Sequence, residues 1–458
     1  MTRRGALVGL AVALGAVLAA PAAAEPGAPP SLTTTRFDED WSVLADPAAR
    51  AGRWTEPFKY VSLGEASNYL TTGLEVRLRN EAFRNNLWGG AEAPDDGYLW
   101  VRALPYADLH VGRVRAFVQP IVAYAVGVQP SAGPVDRTGV DLLQGFAEVS
   151  VPAGDATVVL RAGRQLMPLG SERLVGARYG PNIPVAFDGV RADVHAGAAK
   201  LSVFRVEPVR AGAGAFDDRA VSAKALWGAY ATLPNLDLYY LGFRHRGATF
   251  GGRTGDEHRD SFGARSFGHV DDWRWNIEGV VQTGRFGGRK IRAWTLGSEA
   301  GREFPDAAFA PDITVRFNIV SGDKDPDDGT LGTFNALFPK GKYFGELSPV
   351  GPYNIVSFNP GVALDLGQDV TLGVSAMAYW RYARADGVYD VPGGLLRAPG
   401  TSRARFIGKE AELTLDWQAT PELELSASAS AFEPGRFIRE TGPAETIGMF
   451  GLEANFRF

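Results

Sequence analysis

The chain has 458 residues, 45% hydrophobic and 22% charged, with 56 Gly, 29 Pro, no Cys and a formal net charge of −5. This composition excludes a disordered chain, a disulfide scaffold and a thiolate metal protein, and the mild acidity excludes a general nucleic-acid binder. The only unbroken apolar run, Gly5 to Ala20, is too little for a helical membrane bundle, so a membrane-spanning chain would have to be a barrel.

That run follows Arg3 and Arg4 and ends at Ala22-Ala23-Ala24 before Glu25, the layout of a secretory signal peptide cleaved after Ala24. The flanks of the paired arginines speak against a twin-arginine route. Without residues 1–24 the chain keeps 45 basic against 52 acidic residues. Residues 25–70 are too few for a plug domain and read as an N-terminal periplasmic arm. From residue 71 to 458 period-two alternation recurs in segments of about ten residues, separated by Gly, Pro, Asp and Asn clusters.

These segments predict strands near 72–80, 98–110, 113–127, 141–151, 157–166, 186–194, 199–209, 222–231, 236–245, 259–267, 273–282, 291–300, 311–321, 352–366, 369–383, 405–417, 422–432 and 446–458. In the last, Phe450, Leu452, Ala454, Phe456 and Phe458 alternate with Met449, Gly451, Glu453, Asn455 and Arg457, one side fit for lipid and the other for water. The expected fold is all-β, a transmembrane antiparallel up-and-down barrel of about 18 strands, closed by the C-terminal strand ending in Phe458. A soluble sandwich predicts the same alternation. It does not predict connections that alternate long (81–97, 128–140, 167–185, 322–351, 384–404) and short (111–112, 152–156, 195–198, 367–368, 418–421), as a barrel with both termini on the periplasmic side requires. The connection 301–310 is the one moderate exception among the short turns.

Two stretches resemble a known family. LRAGRQLMPLGSERLVGARYGPNIPVAFDGVRADV, Leu160 to Val194, is similar to the signature of the alginate export family, and SGDKDPDDGTLGTFNALFPKGKYFG, Ser321 to Gly345, resembles that family's loop. The segments around Leu74 and Ala107 fit its opening strands. The resemblance implies an eighteen-stranded outer-membrane barrel, set in outer-membrane lipid, whose lumen passes an anionic polysaccharide.

A chain of carboxylates needs cationic partners at several depths that attract without trapping, and the planar fork of arginine suits them. By strand parity Arg77, Arg79, Arg161, Arg191, Asp193 and Arg316 point into the lumen, together with Arg113, Arg115, Arg205, Arg274 and Arg381. Arg173, Arg164 and Asp188 join the expected path, Arg164 only if a bulge near Gly163 re-aims it. Glu75, Glu148, Glu207, Glu278, Glu412 and Asp416 also read as inward, so some of these pairs are structural ladders.

The stretch from Asn335 and Phe338 through Lys340, Lys342 and Tyr343 is too apolar to stand in water and is expected to fold inward as a constriction or lid. Asp323, Asp325 and Asp327 invite a loosely bound cation, but Asp328 stands where an EF-hand loop needs glycine and Phe334 where it needs glutamate. The solvated turn is the better reading. His258 stands near Asp256, Glu257 and Ser261 in an expected outer loop, and none of His110, His195, His245 or His269 adds a nucleophile–base order, so no catalysis is expected. Gly284 to Gly288 reads as a hairpin tip.

The sequence therefore predicts a monomeric, passive channel without cofactor, carrying an anionic polysaccharide or small anionic solute and delivered to the outer-membrane assembly machinery through its C-terminal strand. A general porin for small solutes and a structural or adhesive barrel with a closed lumen are the alternatives.

Overall fold

The computed structural model describes residues 30–250 and 252–458, so the expected signal peptide lies outside the described residues. Eighteen long strands carry the fold: β1 (Tyr69–Arg84), β2 (Asp96–Val111), β3 (Val114–Val126), β4 (Gly139–Ala153), β5 (Ala156–Leu166), β6 (Ala186–Ala196), β7 (Ala199–Arg210), β8 (Lys224–Leu233), β9 (Leu236–Phe250), β10 (Arg253–Val270), β11 (Trp273–Phe286), β12 (Arg289–Glu303), β13 (Asp312–Val320), β14 (Ile355–Asp365), β15 (Val370–Arg381), β16 (Phe406–Thr420), β17 (Leu423–Pro434) and β18 (Ile447–Arg457). Each pairs antiparallel with the next. β18 returns to β1, with Glu75 opposite Arg457 and Arg84 opposite Gly448, so the ribbon closes and no edge is left.

The alternation that predicted the strands sorts their side chains onto two faces. On β16 Leu413, Leu415 and Trp417 are exposed on the outer wall, while Glu410 and Glu412 are 4% and 3% exposed toward the inside. One periplasmic end carries two-residue turns such as 112–113, 154–155 and 234–235, with longer connections at 304–311 and 366–369. The opposite end carries the long loops, here L1 (85–95), L2 (127–138), L3 (167–185), L4 (211–223), L7 (321–354), L8 (382–405) and L9 (435–446).

One outer connection departs from expectation, and one, at the expected Gly284 to Gly288 tip, follows it. β9 and β10 are joined by residues 251–252 and β11 and β12 by 287–288, because these four strands continue beyond their neighbours as paired hairpins. His258, expected in a loop, therefore lies within β10. Glu257 and Ser261 are buried inward while His258 is exposed on the other face, which separates the supposed cluster.

The upper lumen is not empty. L3, L7 and L8 fold into it and build an apolar core with the inner wall, in which Met167, Ala336, Val350 and Phe187 are wholly buried. Phe250 at the top of β9 stacks on Tyr389 of L8 at 5.4 Å, so the loops reach across the mouth.

The arm enters the other end. Phe37 stands edge-on to Phe117 and Phe146 on the inner faces of β3 and β4, with the Arg161 guanidinium 4.5 Å from its ring. Arg36 donates to the Phe458 carbonyl at 2.9 Å, and Lys59 donates to the Tyr106 hydroxyl at 2.9 Å. Farther along, Trp54 and Phe58 pack against Phe458, and Trp54 also stacks over Phe456. The arm thus lies against the inner wall and also covers the end of the β1–β18 seam.

Candidate functional site

L3 and L7 meet inside the lumen. Val175 and Phe338 form a parallel bridge, with Phe338 N–H donating to Leu174 O at 2.9 Å, Gly176 N–H to Phe338 O at 2.8 Å and Lys340 N–H to Glu172 O at 3.0 Å. Phe338 then packs its ring against Phe187 and Phe243 on the wall. Asn335 donates to Glu257 at 3.1 Å and its backbone N–H donates to Gln282 at 3.0 Å. The pair of loops is a partition with its own backbone ladder, held to the barrel at both margins.

Most of the arginines that parity aimed inward are occupied in holding this partition or in pairing with the wall. Arg77 donates to Tyr179 O at 3.0 Å and Pro181 O at 2.8 Å of L3, and Arg102 binds the same carbonyls while pairing with Glu75 at 2.7 Å. Arg79 pairs with Glu81 and Glu453, both at 2.7 Å, and with Glu346 of L7. Lys342 joins that network through Glu81 at 2.8 Å and Glu346 at 2.7 Å. Arg161 pairs with Glu148 at 2.5 Å and Arg191 with Asp193 at 2.8 Å, lower in the lumen. Neutralised pairs of this kind fix geometry and leave little field for a solute.

Arg164 and Asp188 do not enter the lumen. The β5–β6 register runs without a bulge, so both keep the outer-wall parity of Leu160 and Val190, and they form a two-pronged pair at 2.8 and 3.0 Å beneath L4. Arg205 and Glu207 likewise take outer parity on β7, and Arg113 sits in a periplasmic turn. The three loop aspartates do not converge. Asp323 is buried against Arg289 at 2.7 Å, whereas Asp327 is 90% exposed and pairs with Arg253. Among the described residues the acidic group with metal-like spacing is Asp141, Asp217 and Asp218, and it carries no other mark of a site.

Beneath the partition lies a polar cavity lined by Arg173, Arg265, Arg316, Lys340, Tyr343 and Glu299, among others. Arg265, Glu299 and Arg316 each stand within five residues of the periplasmic end of their strands. Arg173 descends from L3, donates to the Tyr343 hydroxyl at 2.6 Å and Asn318 at 3.0 Å, and pairs with Glu278 at 3.3 Å. A Cβ on Gly297 would fall 2.0 Å from its guanidinium, so only glycine lets the arginine lie against the wall there. Arg316 pairs with Glu299 at 2.7 Å and Arg265 with Asp237 at 2.9 Å. Lys340 differs from all of these: its ammonium makes no hydrogen bond or ion pair among the described residues. Burial, reinforced by Arg316, brings its pKa down to about 8. Glu172, a carboxylate in its field, is itself held above the usual range by burial.

A closed eighteen-stranded barrel with inward-folded L3 and L7 and a cationic cavity beneath them invites comparison with known proteins. The alginate export profile matches residues 68–450. The chain belongs to the alginate export family. Comparison with curated protein sequences found no significant match. Among solved structures, OccAB1 of Acinetobacter baumannii superposes with a TM-score of 0.60 at 12% identity, covering 88% of this chain and 99% of that one. OccK8 (OprE) of Pseudomonas aeruginosa gives 0.56 at 11%, covering 85% and 98%. OccK2 (OpdF) of the same organism, solved in complex with glucuronate, gives 0.56 at 11%, covering 85% and 98%. At such identities these likenesses show the fold. Family and fold together make the molecule an outer-membrane barrel channel for solutes.

For this alginate export family member, strand parity alone did not single out Arg265. β10 carries polar residues on both faces, Arg259, Ser261 and Arg265 inward against Asp260 and Ser266 outward, so no apolar stripe marked its lipid side.

Proposed function

We propose that the channel conducts an anionic, carboxylate-bearing cargo, an alginate-like polysaccharide or its oligomers, along the cationic side of its lumen. The observation that carries this reading is the cavity beneath L3 and L7, where Arg173, Arg265 and Arg316 pair with Glu278, Asp237 and Glu299 and Lys340 adds a cation with no ion pair among the described residues. Arginine forks take carboxylates in paired hydrogen bonds, and a lysine without its own counter-ion offers a charge that no wall residue cancels. The glucuronate in the OccK2 complex supports a uronate as the unit of cargo. Arg77, Arg79 and Lys342 act as positioning residues that hold the partition. The apolar core of the loops favours a gated channel over a permanently open porin, with L3 and L7 as the moving parts. The arm narrows the periplasmic mouth from the β1–β5 side, the molecule works as a monomer, and Phe458 delivers it to the assembly machinery.

Reversal potentials in planar bilayers under a salt gradient test the reading, with uronate oligomers added as blockers. Anion preference and block by oligomers are expected. Cation preference would leave a general porin, and no current under any condition would leave a structural barrel with a closed lumen.

A further inference from the structure

Three successive outward rows cross β7 to β12 near the outer rim. The lowest is apolar and aromatic: Val203, Ala229, Tyr240, Phe262, Val281 and Trp294. One step outward, in register, come Arg205, Trp227, Gly242, Asp260, Thr283 and Arg292. One step farther the row reads Arg244, His258, Arg285 and Lys290.

Directly opposed residues on neighbouring strands have Cβ atoms about 5 Å apart, and like charges so placed destabilise a sheet. Among the described residues nothing relieves this row. Arg205, Arg244, Arg285, Lys290 and Arg292 make no side-chain hydrogen bond or ion pair among the described residues, and the one carboxylate in the two rows, Asp260, faces His258 at 3.6 Å and accepts from Tyr240 at 2.8 Å.

The level of the row is fixed by β11. From Trp275, near the periplasmic end, to Arg285 is ten residues, or ~33 Å along a strand and ~25 Å across the membrane at a tilt of about 40°, one hydrocarbon thickness. The cations therefore stand where the headgroups of the outer leaflet begin. Directly beneath them the outer wall carries an apolar groove of about 730 Å³, floored by small residues including Ala229, Ala231, Gly263 and Gly279 and flanked by Phe262 and Trp294.

We infer that this sector of the outer wall is a binding site for a phosphorylated lipid of the outer leaflet: the basic row takes the headgroup phosphates and the groove takes an acyl chain. The row spans three inter-strand gaps, ~15 Å, so it meets a headgroup carrying more than one phosphate. The inference rests on the outer-membrane location and is independent of the cargo in the lumen.

The test uses the full-length protein in detergent, titrated with a bisphosphorylated disaccharide lipid (lipid A), with its dephosphorylated form and with inorganic phosphate, and bound lipid is read by native mass spectrometry. The phosphorylated lipid is expected to bind at least about tenfold more tightly than the dephosphorylated one. The Arg244→Gln, Arg285→Gln, Lys290→Gln, Arg292→Gln variant loses that difference while keeping its heat-modifiable migration and its conductance. Gly279→Leu fills the groove, where the nearest atom to a new Cβ is 4.0 Å away, and weakens both lipids alike. Equal binding of the two lipids, unchanged phosphate preference in the quadruple variant, or displacement of the lipid by millimolar inorganic phosphate would each overturn the assignment. Ion selectivity of the pore is measured on the same variants and stays unchanged, which separates this site from the proposed transport path.

Discussion

Two arcs of the lumen are made of the same residue types and differ in how the charges are settled. Along β10 to β13 each inward arginine is paired with a carboxylate, and Lys340 is added from L7 with no hydrogen bond or ion pair among the described residues. Along β16, three strands on from β13, Glu410, Glu412 and Asp416 have no cationic partner among the described residues; Glu412 accepts instead from the Glu346 backbone and Ser430, and Glu410 from Tyr379. Between these arcs, Arg79, Arg102, Arg161 and Arg191 are matched one for one or better by carboxylates. Counting arginines in a barrel therefore overstates its attraction for anions. The field that a solute meets comes from the residues whose charge the wall leaves uncancelled.

The comparison is broken most severely at Lys340. Lys340→Glu is expected to lower the anion-over-cation permeability ratio about tenfold, because it replaces the one unpaired cation of the cavity with a like charge to the cargo; reversal potentials measure it, and an unchanged ratio defeats the assignment. A smaller effect follows from protonation. With its pKa brought down to about 8 by burial, Lys340 is charged below that pH and neutral above it. Anion preference should therefore fall, about threefold, as pH rises from 7 to 9, and Lys340→Arg should remove that dependence because a guanidinium stays charged throughout. On β16, Glu410→Gln with Glu412→Gln is expected to raise anion preference about twofold by removing competing charge at a distance; a decrease would mean that these acids orient L7 through the Glu346 contact. The smallest change is expected at Arg164→Gln. Its partner is Asp188 on the outer wall, so conductance and selectivity should match the parent protein, with a loss of thermal stability of about 1 kcal/mol or less from the pair.

Strand existence and closure were legible because lipid outside and water inside impose one alternation on every strand, and all eighteen segments read from the pattern are present. Parity failed where that contrast fades. Near the outer rim of β5 and β6 the outer face is no longer apolar, so Arg164 suggested a bulge that the register does not contain, and Asp188 read as a lumen residue though it pairs with Arg164 on the outer wall. The continuation of β9 and β10 was hidden for a related reason: beyond the membrane these strands need not alternate, and their polar sequence resembled a loop, whereas the tip between β11 and β12 was legible in Gly284 to Gly288. The inward course of L7 was legible in its apolar stretch, Phe334 to Phe338. Its partner was not, since the bridge between Val175 and Phe338 is a backbone pairing between segments far apart in sequence, and no side-chain pattern encodes it.

The arm's contacts also set an order of events. Arg36 reaches the carbonyl of Phe458 and Trp54 lies over Phe456, so its docking surface is not complete until the final strand has joined the first. The full seating of the arm therefore reports that the wall has been closed.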